Sequence, residues 1–383
     1  MIGQSNSVDS EVAPFFSHPS PCRFVPRVVW VEEGEEHSSI VTAVRSRFPE
    51  VVVHRFVNVA ELPRTNFDDA KSCLVLRRHR GGFLQHCPAG TSGLVCCNYL
   101  VVNFASNCPY DCSYCFLQDY LASNPHLTAF TNVGDGLAEI DRALSGHPDK
   151  QFRVGTGELA DSLALDPVTS LSRELVPFFA SRANALLELK TKSDCVDDLL
   201  EMDPGGRVVV SWSVSPREIA DSEEYGAASL DARFAAARRV AGAGYQVGFH
   251  LDPIIEHEGW RDHYGVMFEQ LFDSVAADQI AWFSLGALRM TPALRRKVRQ
   301  RPRQRPGSHP LASEMVDCGD GKLRVWRGLR VRMYQALLEH IRAGAPAATV
   351  YLCMESPSVW QRAMKEIPSD RQLGMRLAAG ARW

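Results

Sequence analysis

The sequence predicts an open α/β fold, either a partial β/α barrel or a doubly wound sheet. Two observations carry this reading. From residue 99 onward, short apolar strands alternate with amphipathic helices. That alternation implies parallel strands joined by right-handed crossovers. In addition, three cysteines, Cys108, Cys112 and Cys115, follow directly on the first strand of the series. Both folds keep their chemistry there, outside the C-terminal ends of the strands. A chain of 383 residues with 45% hydrophobic and 23% charged residues has room for one large domain or two moderate ones.

The elements follow in order. Residues 1 to 25 are polar and rich in Pro and Ser, and a frayed terminus is expected. "RVVWVE" (27–32) reads as a strand, "HSSIVTAVRSRF" (37–48) as an amphipathic helix and "VVVHRFV" (51–57) as a second strand. "CLVLRRH" (73–79) is a third, and a Gly/Cys-rich loop (81–97) follows. The alternating region then offers strands at 99–105, 152–157, 185–191, 207–214, 246–254 and 280–288, with helices at 134–144, 170–182, 230–243 and 262–275. The basic, Pro-interrupted run 295–307 is expected to be a surface loop. A helix (329–344) and a strand (348–356) complete the chain. The division implied is an N-terminal α/β extension and Gly/Cys-rich loop (1–95), a six-unit barrel (96–290), and a basic loop with a helix and strand (291–383).

A net charge of −3 gives no global pull toward nucleic acid or anionic membrane. No apolar run approaches the roughly 20 residues that span a bilayer, and "MIGQSNSVDSEVAPFF" lacks the regions of a signal peptide. A cytoplasmic protein with no membrane partner is expected. Its eleven cysteines then read as ligands, reactive groups or buried small residues rather than disulfides.

The spacing C-x3-C-x2-C supplies three thiolates. Structural zinc usually closes with four protein ligands, often as paired C-x2-C, and no second C-x2-C occurs. A [4Fe–4S] cluster also usually takes four thiolates. Three leave one iron open to a non-protein ligand, which makes the cluster the preferred reading. The rival is a zinc-held nucleic-acid-binding module that uses the same cysteines and the basic patches.

The motif, with Tyr114 just before the last cysteine, resembles the radical S-adenosylmethionine (AdoMet) signature. The likeness extends to the spore photoproduct lyase-like branch from about residue 60 to 360. It is carried by "NCPYDCSYCFLQDY", "GTGELADSLALDP", "LELKTKSD", "VSWSVSP", "FHLDPII" and "YLCMES". The resemblance implies a partial (β/α)6 barrel, a [4Fe–4S] cluster on Cys108, Cys112 and Cys115, bound AdoMet, and an electron donor such as flavodoxin or ferredoxin. It also implies AdoMet contacts from Tyr114, Lys192, Ser213 and, through a Gly-Gly-Glu-like element, Glu158. The other reading of Glu158 pairs it with Arg153 or with a helix N-terminus.

Two departures stand out. Where the lyases carry a cysteine hydrogen donor and a tyrosine, this chain has Glu158 and Phe116. Neither side chain gives up a hydrogen atom readily. The expected function is therefore radical AdoMet chemistry on a nucleoside- or nucleotide-like substrate, with carbon–sulfur tailoring at a cysteine. DNA photoproduct lyase activity is the alternative. Cys353, His250 and Asp252, at strand ends, are the candidate catalytic residues. Asp161 and Ser162 fit helix capping and substrate contact equally. Trp212 is expected to pack the interior. Cys87, Cys96 and Cys97 remain open between ligands and core residues. "RRHRGG" (77–82) has the composition of a phosphate grip.

Overall fold

The computed structural model of the chain describes residues 24–88, 93–300 and 309–383. The expected frayed terminus lies outside them. At the centre is an eight-stranded sheet. Its strands in chain order are β1 (Leu84–His86), β2 (Leu100–Val102), β3 (Phe152–Gly155), β4 (Ala185–Thr191), β5 (Val208–Ser213), β6 (Gln246–Ile254), β7 (Ile280–Ala287) and β8 (Thr349–Leu352). Spatial order equals chain order throughout. A doubly wound sheet would reverse its strand order at a switch point, so the sheet is a half-barrel. Strands β2 to β8 pair in parallel, and β1 adds antiparallel to β2 at the edge. The six expected barrel strands are all present, and the tail strand joins them as the seventh parallel member.

Continuous apolar runs mark strands buried on both faces. All six residues of β5 and all eight of β7 are buried. Trp212, from β5, is fully buried and donates its indole N–H to the Ser193 carbonyl at 3.0 Å, packing the interior as expected. Helices between the strands cover the outer face. The helix Leu230–Gly242 starts at Ser229, whose hydroxyl accepts from the Ala232 amide. Gly244, at φ +92°, turns the chain into β6.

A second, five-stranded sheet has the order Val52–Phe56, Val28–Glu32, Cys73–Arg77, Leu127–Phe130, Ala105–Ser106. The helix Ser39–Arg47 buries Ile40, Val41 and Val44. The strand Leu127–Phe130 was not legible: four letters, three of them apolar, fix no period.

The basic run departs from the expected loop. Pro292–Gln300 is a helix, because Leu294 and Val298, one turn apart, are buried and Lys297 pairs with Asp119 at 2.8 Å. The rest of the run, 301–308, lies outside the described residues. Cys195 is disulfide-bonded, against the expectation of thiols throughout. No helix among the described residues is long and apolar enough to cross a membrane.

Candidate active site

Parallel register brings the chemistry to one level. Ser213 of β5 stands beside His250 of β6, His250 beside Ser284 of β7, and Ser284 beside Tyr351 of β8. Lys192 follows β4 directly and Cys353 follows β8 directly. The strand ends therefore converge on one mouth, over which the cysteine loop lies.

That loop is fastened from several sides. The Asn107 side chain accepts from the Cys108 amide at 2.7 Å and donates to the Pro125 carbonyl at 2.5 Å. Lys71 Nζ donates to the Tyr110 carbonyl and to Asp111, the latter at 3.3 Å. Cys112 pairs antiparallel with Glu224, and the Ser113 amide donates to the Glu223 carbonyl at 2.8 Å. The Ser113 and Tyr114 hydroxyls donate to the carboxylates of Glu223 and Glu224. Arg233 closes the stack. Its guanidinium lies 2.5 Å from Glu224 Oε2 and donates to the carbonyls of Ser213 and Ala228, both at 2.9 Å. Burial alone would disfavour both charges. Net, Arg233 and Lys192 hold the Glu224 carboxyl below the usual range.

The three thiols fit an iron–sulfur group. All three are free. Burial pushes Cys112 up to about 12 and raises Cys108, so these two thiols need a metal to take up the charge of their deprotonated form. A single tetrahedral zinc would draw its sulfurs to roughly 3.8 Å from one another. Among the described residues these three do not converge within 4.8 Å. The set suits a larger, polynuclear group.

Lys192 is half-buried. Its ammonium lies 5.6 Å from the centre of the Tyr114 ring and has no hydrogen-bond acceptor among the described residues. Burial opposes its charge, but Glu224 and Cys112 nearby hold its pKa above the ordinary value. The Ser213 hydroxyl, in a buried residue, also makes no hydrogen bond among the described residues. Glu158 is half-buried and has no partner among the described residues. The alternative pairing with Arg153 is absent, because Arg153 is used elsewhere. It stacks on Tyr99 at 4.7 Å and reaches Cys97 Sγ at 3.0 Å.

Neither Asp161 nor Ser162 caps the following helix, Asp166–Thr169, which starts at Leu165 without a side-chain cap. Asp161 accepts from the amides of Leu163, Ala164 and Lys192 and from the Thr191 hydroxyl, at 2.6–3.0 Å. Ser162 accepts from Thr156 and the Lys190 amide. Together they tie the end of β3 to the end of β4.

The candidate catalytic trio divides. His250 is buried, with Nε2 2.7 Å from Glu188, so its ring serves the barrel interior. Asp252 and Cys353 are brought together by Arg289. Its guanidinium grips Asp252 at 2.8 and 2.9 Å and lies 3.9 Å from Cys353 Sγ. Gly286 is required beneath this group, since a Cβ there would meet the Asp252 carboxyl carbon at 2.7 Å. Burial raises the Cys353 thiol well above its ordinary value. Elsewhere, the "RRHRGG" arginines Arg78 and Arg80 are exposed but engaged with carboxylates. Arg80 pairs with Glu32 at 2.6 Å and Arg78 with Asp135 and Glu35.

Sequence reading missed Glu223, Glu224, Arg233, Arg289 and Asn107. No local pattern marks them, because each has at least one partner well removed in the chain.

A half-barrel with three free thiols on a strand-end loop and a lysine without an acceptor among the described residues at the same mouth is the architecture of a radical AdoMet enzyme, a class that carries a [4Fe–4S] cluster. A family model described as spore photoproduct lyase matches residues 86–305, and the chain belongs to that family. The chain is 28% identical over 290 residues to the spore photoproduct lyase of Geobacillus sp. (strain Y412MC61), covering 73% of this chain and 83% of the relative. To that of Bacillus subtilis (strain 168) it is 27% identical over 267 residues, covering 67% and 75%. A solved spore photoproduct lyase complexed with dinucleoside spore photoproduct superposes with a TM-score of 0.76 at 24% identity, over 86% of this chain and 99% of that one. A solved mutant lyase with bound AdoMet and the dinucleoside photoproduct gives 0.75 at the same identity and coverage. These two structures share the fold.

Proposed function

We propose that this radical AdoMet enzyme acts as a lyase on a thymine-dimer-type dinucleotide lesion and that Cys353 returns the hydrogen atom. The observation that carries the reading is the convergence of the cysteine loop with the ends of β4, β5, β6 and β8 on one mouth. The lyase relatives favour a dinucleotide over the nucleoside-tailoring substrate that the altered relay suggested.

Cys108, Cys112 and Cys115 hold the cluster, and Lys192, Ser213, Glu158 and the Tyr114 face receive AdoMet. When bound, cluster and AdoMet supply reductive sulfonium cleavage and removal of one hydrogen atom from substrate. Lys192 offers an unpaired ammonium to the AdoMet carboxylate, and Glu158 an unpaired carboxylate to its amino group. Ser213 offers a free hydroxyl. Cys353, kept as S–H by burial, gives a hydrogen atom to the product radical. The sulfur radical left behind takes an electron from the external donor and a proton. Arg289, fixed by Asp252, positions the thiol.

The test is incubation of reduced, cluster-loaded enzyme with AdoMet and dinucleoside spore photoproduct. Recovery of the thymine dinucleotide is expected. Cys353→Ala should form 5′-deoxyadenosine with little recovery. Wild-type formation of 5′-deoxyadenosine without thymine recovery rejects the lyase reading in favour of nucleoside tailoring. Substitution of Cys108, Cys112 and Cys115 by Ala should remove iron and AdoMet cleavage together.

A further inference from the structure

Glu218, His257 and His263 lie apart from the thiols. Their ligand atoms all fall within 4.8 Å of one another, and among the described residues they form the one such trio of histidine, cysteine and carboxylate groups. We propose that they form a second metal site, selective for a divalent transition ion of the zinc class, at the outer edge of the barrel mouth.

Three elements contribute. Glu218 is in the first turn of the helix Arg217–Glu223. His257 is on the loop after β6, and His263 is in the first turn of the helix Trp260–Ser274. His257 Nε2 lies 2.9 Å from His263 Nδ1, which lies 3.6 Å from a Glu218 oxygen. Two ligands bonded at about 2.05 Å to a tetrahedral ion stand roughly 3.3–3.4 Å apart. The observed gaps bracket that edge, so an ion enters with side-chain shifts of a few tenths of an ångström.

The rings are already oriented for it. His257 is buried, and its Nδ1 lies 3.0 Å from the Ile255 carbonyl. Donation there places the neutral ring's lone pair on Nε2, toward the trio. A metal-bound histidine is characteristically held in this way through its other nitrogen. The His263 ring packs over Gly259, where a Cβ would come within 3.2 Å of it. Gly259 also has φ +71°, so the ring sits on a position that disfavours any side chain. The His309 ring flanks His257 at 5.4 Å between centroids. Two imidazoles and one carboxylate are a zinc-type donor set, with the fourth position left to solvent.

The site's place in the fold gives it a use. Glu218 begins the helix that ends at Glu223, and Glu223 fastens the cysteine loop through Ser113. An ion here would lock that helix to the loop after β6 and to the helix following it, bracing the cluster support from behind.

The experiment uses cluster-loaded enzyme, so that the cysteines are occupied. After a weak chelator wash, the protein is dialysed against micromolar zinc and its metals are counted. One zinc per chain is expected beside the cluster iron. X-ray absorption at the zinc edge should show nitrogen and oxygen neighbours near 2.0–2.1 Å with imidazole outer shells. His263→Gln and Glu218→Gln should each retain the iron but lose more than about ten- to a hundred-fold in zinc affinity. Three results overturn the proposal: no stoichiometric zinc in the wild type, unchanged affinity in both variants, or a sulfur shell near 2.3 Å. If a variant also loses iron, the absorption spectrum of the wild type decides.

Discussion

Lys192 illustrates how a single side chain acquires a role. On a protein surface an ammonium is hydrated and unremarked. Here it is half-buried above Tyr114, with Glu224 and Cys112 favouring its charge and no acceptor bonded to it among the described residues. Removing one charged hydrogen bond costs about 1.5–3 kcal/mol, or roughly ten- to a hundred-fold in affinity. Lys192→Ala should therefore weaken AdoMet binding by that factor while iron content stays unchanged. Equal affinity in the variant would remove Lys192 from the cofactor site. Asp252 is a residue whose charge is structural. Burial raises its carboxyl pKa, but bidentate Arg289 outweighs this and leaves it below the ordinary value. A depressed carboxyl stabilises the fold above the unfolded pKa of about 3.9 and ceases to as pH falls through the lower folded value. Urea midpoints of wild type and Asp252→Asn should differ by a constant amount from pH 7 to about pH 5. The difference should shrink below roughly pH 4.

Among the elements, the segment from Glu223 to Arg233 decides whether the cysteine loop is preformed. Glu224 and Arg233 are almost wholly removed from solvent, with side chains 0% and 1% exposed. Breaking a buried ion pair by deleting one partner typically costs about 3–5 kcal/mol, because the other charge stays buried and uncompensated. Arg233→Ala should lower stability by about that amount in urea denaturation. It should also speed iron loss to a chelator, since Glu224 holds Tyr114 and pairs with the Cys112 backbone. A stability loss with unchanged iron retention would separate the pair from the loop.

For the molecule as a whole, the half-barrel depends on its C-terminal closure. The helix Asp370–Gly380 lies against β7 and β8, and a Cβ on Gly380 would collide with the Ala281 carbonyl and come within 2.7 Å of the Thr349 hydroxyl. Overpacking of this kind costs about 1–3 kcal/mol. Gly380→Val should lower the melting temperature. It should also reduce product formation per 5′-deoxyadenosine, because β8 carries Cys353 into the mouth. A lower melting temperature with unchanged coupling would show that β8 is held independently of this helix.

The sequence by itself determined the strand–helix alternation, the position of every parallel strand from β2 to β8, and the three thiols after the first of them. Those features are local: apolar periodicity and ligand spacing are written in consecutive letters. It also marked Lys192 and Ser213, through the resemblance of "LELKTKSD" and "VSWSVSP" to the lyase-like family's motifs. Only the tertiary structure decided that strand order runs without reversal, which distinguishes a half-barrel from a doubly wound sheet. It alone turned His250 toward Glu188, joined Asp252 to Cys353 through Arg289, and placed Arg233 and Glu224 under the cysteine loop. These pairings link residues from 9 to 64 positions apart. Their energy comes from desolvation and charge compensation between elements, which no single stretch of sequence contains.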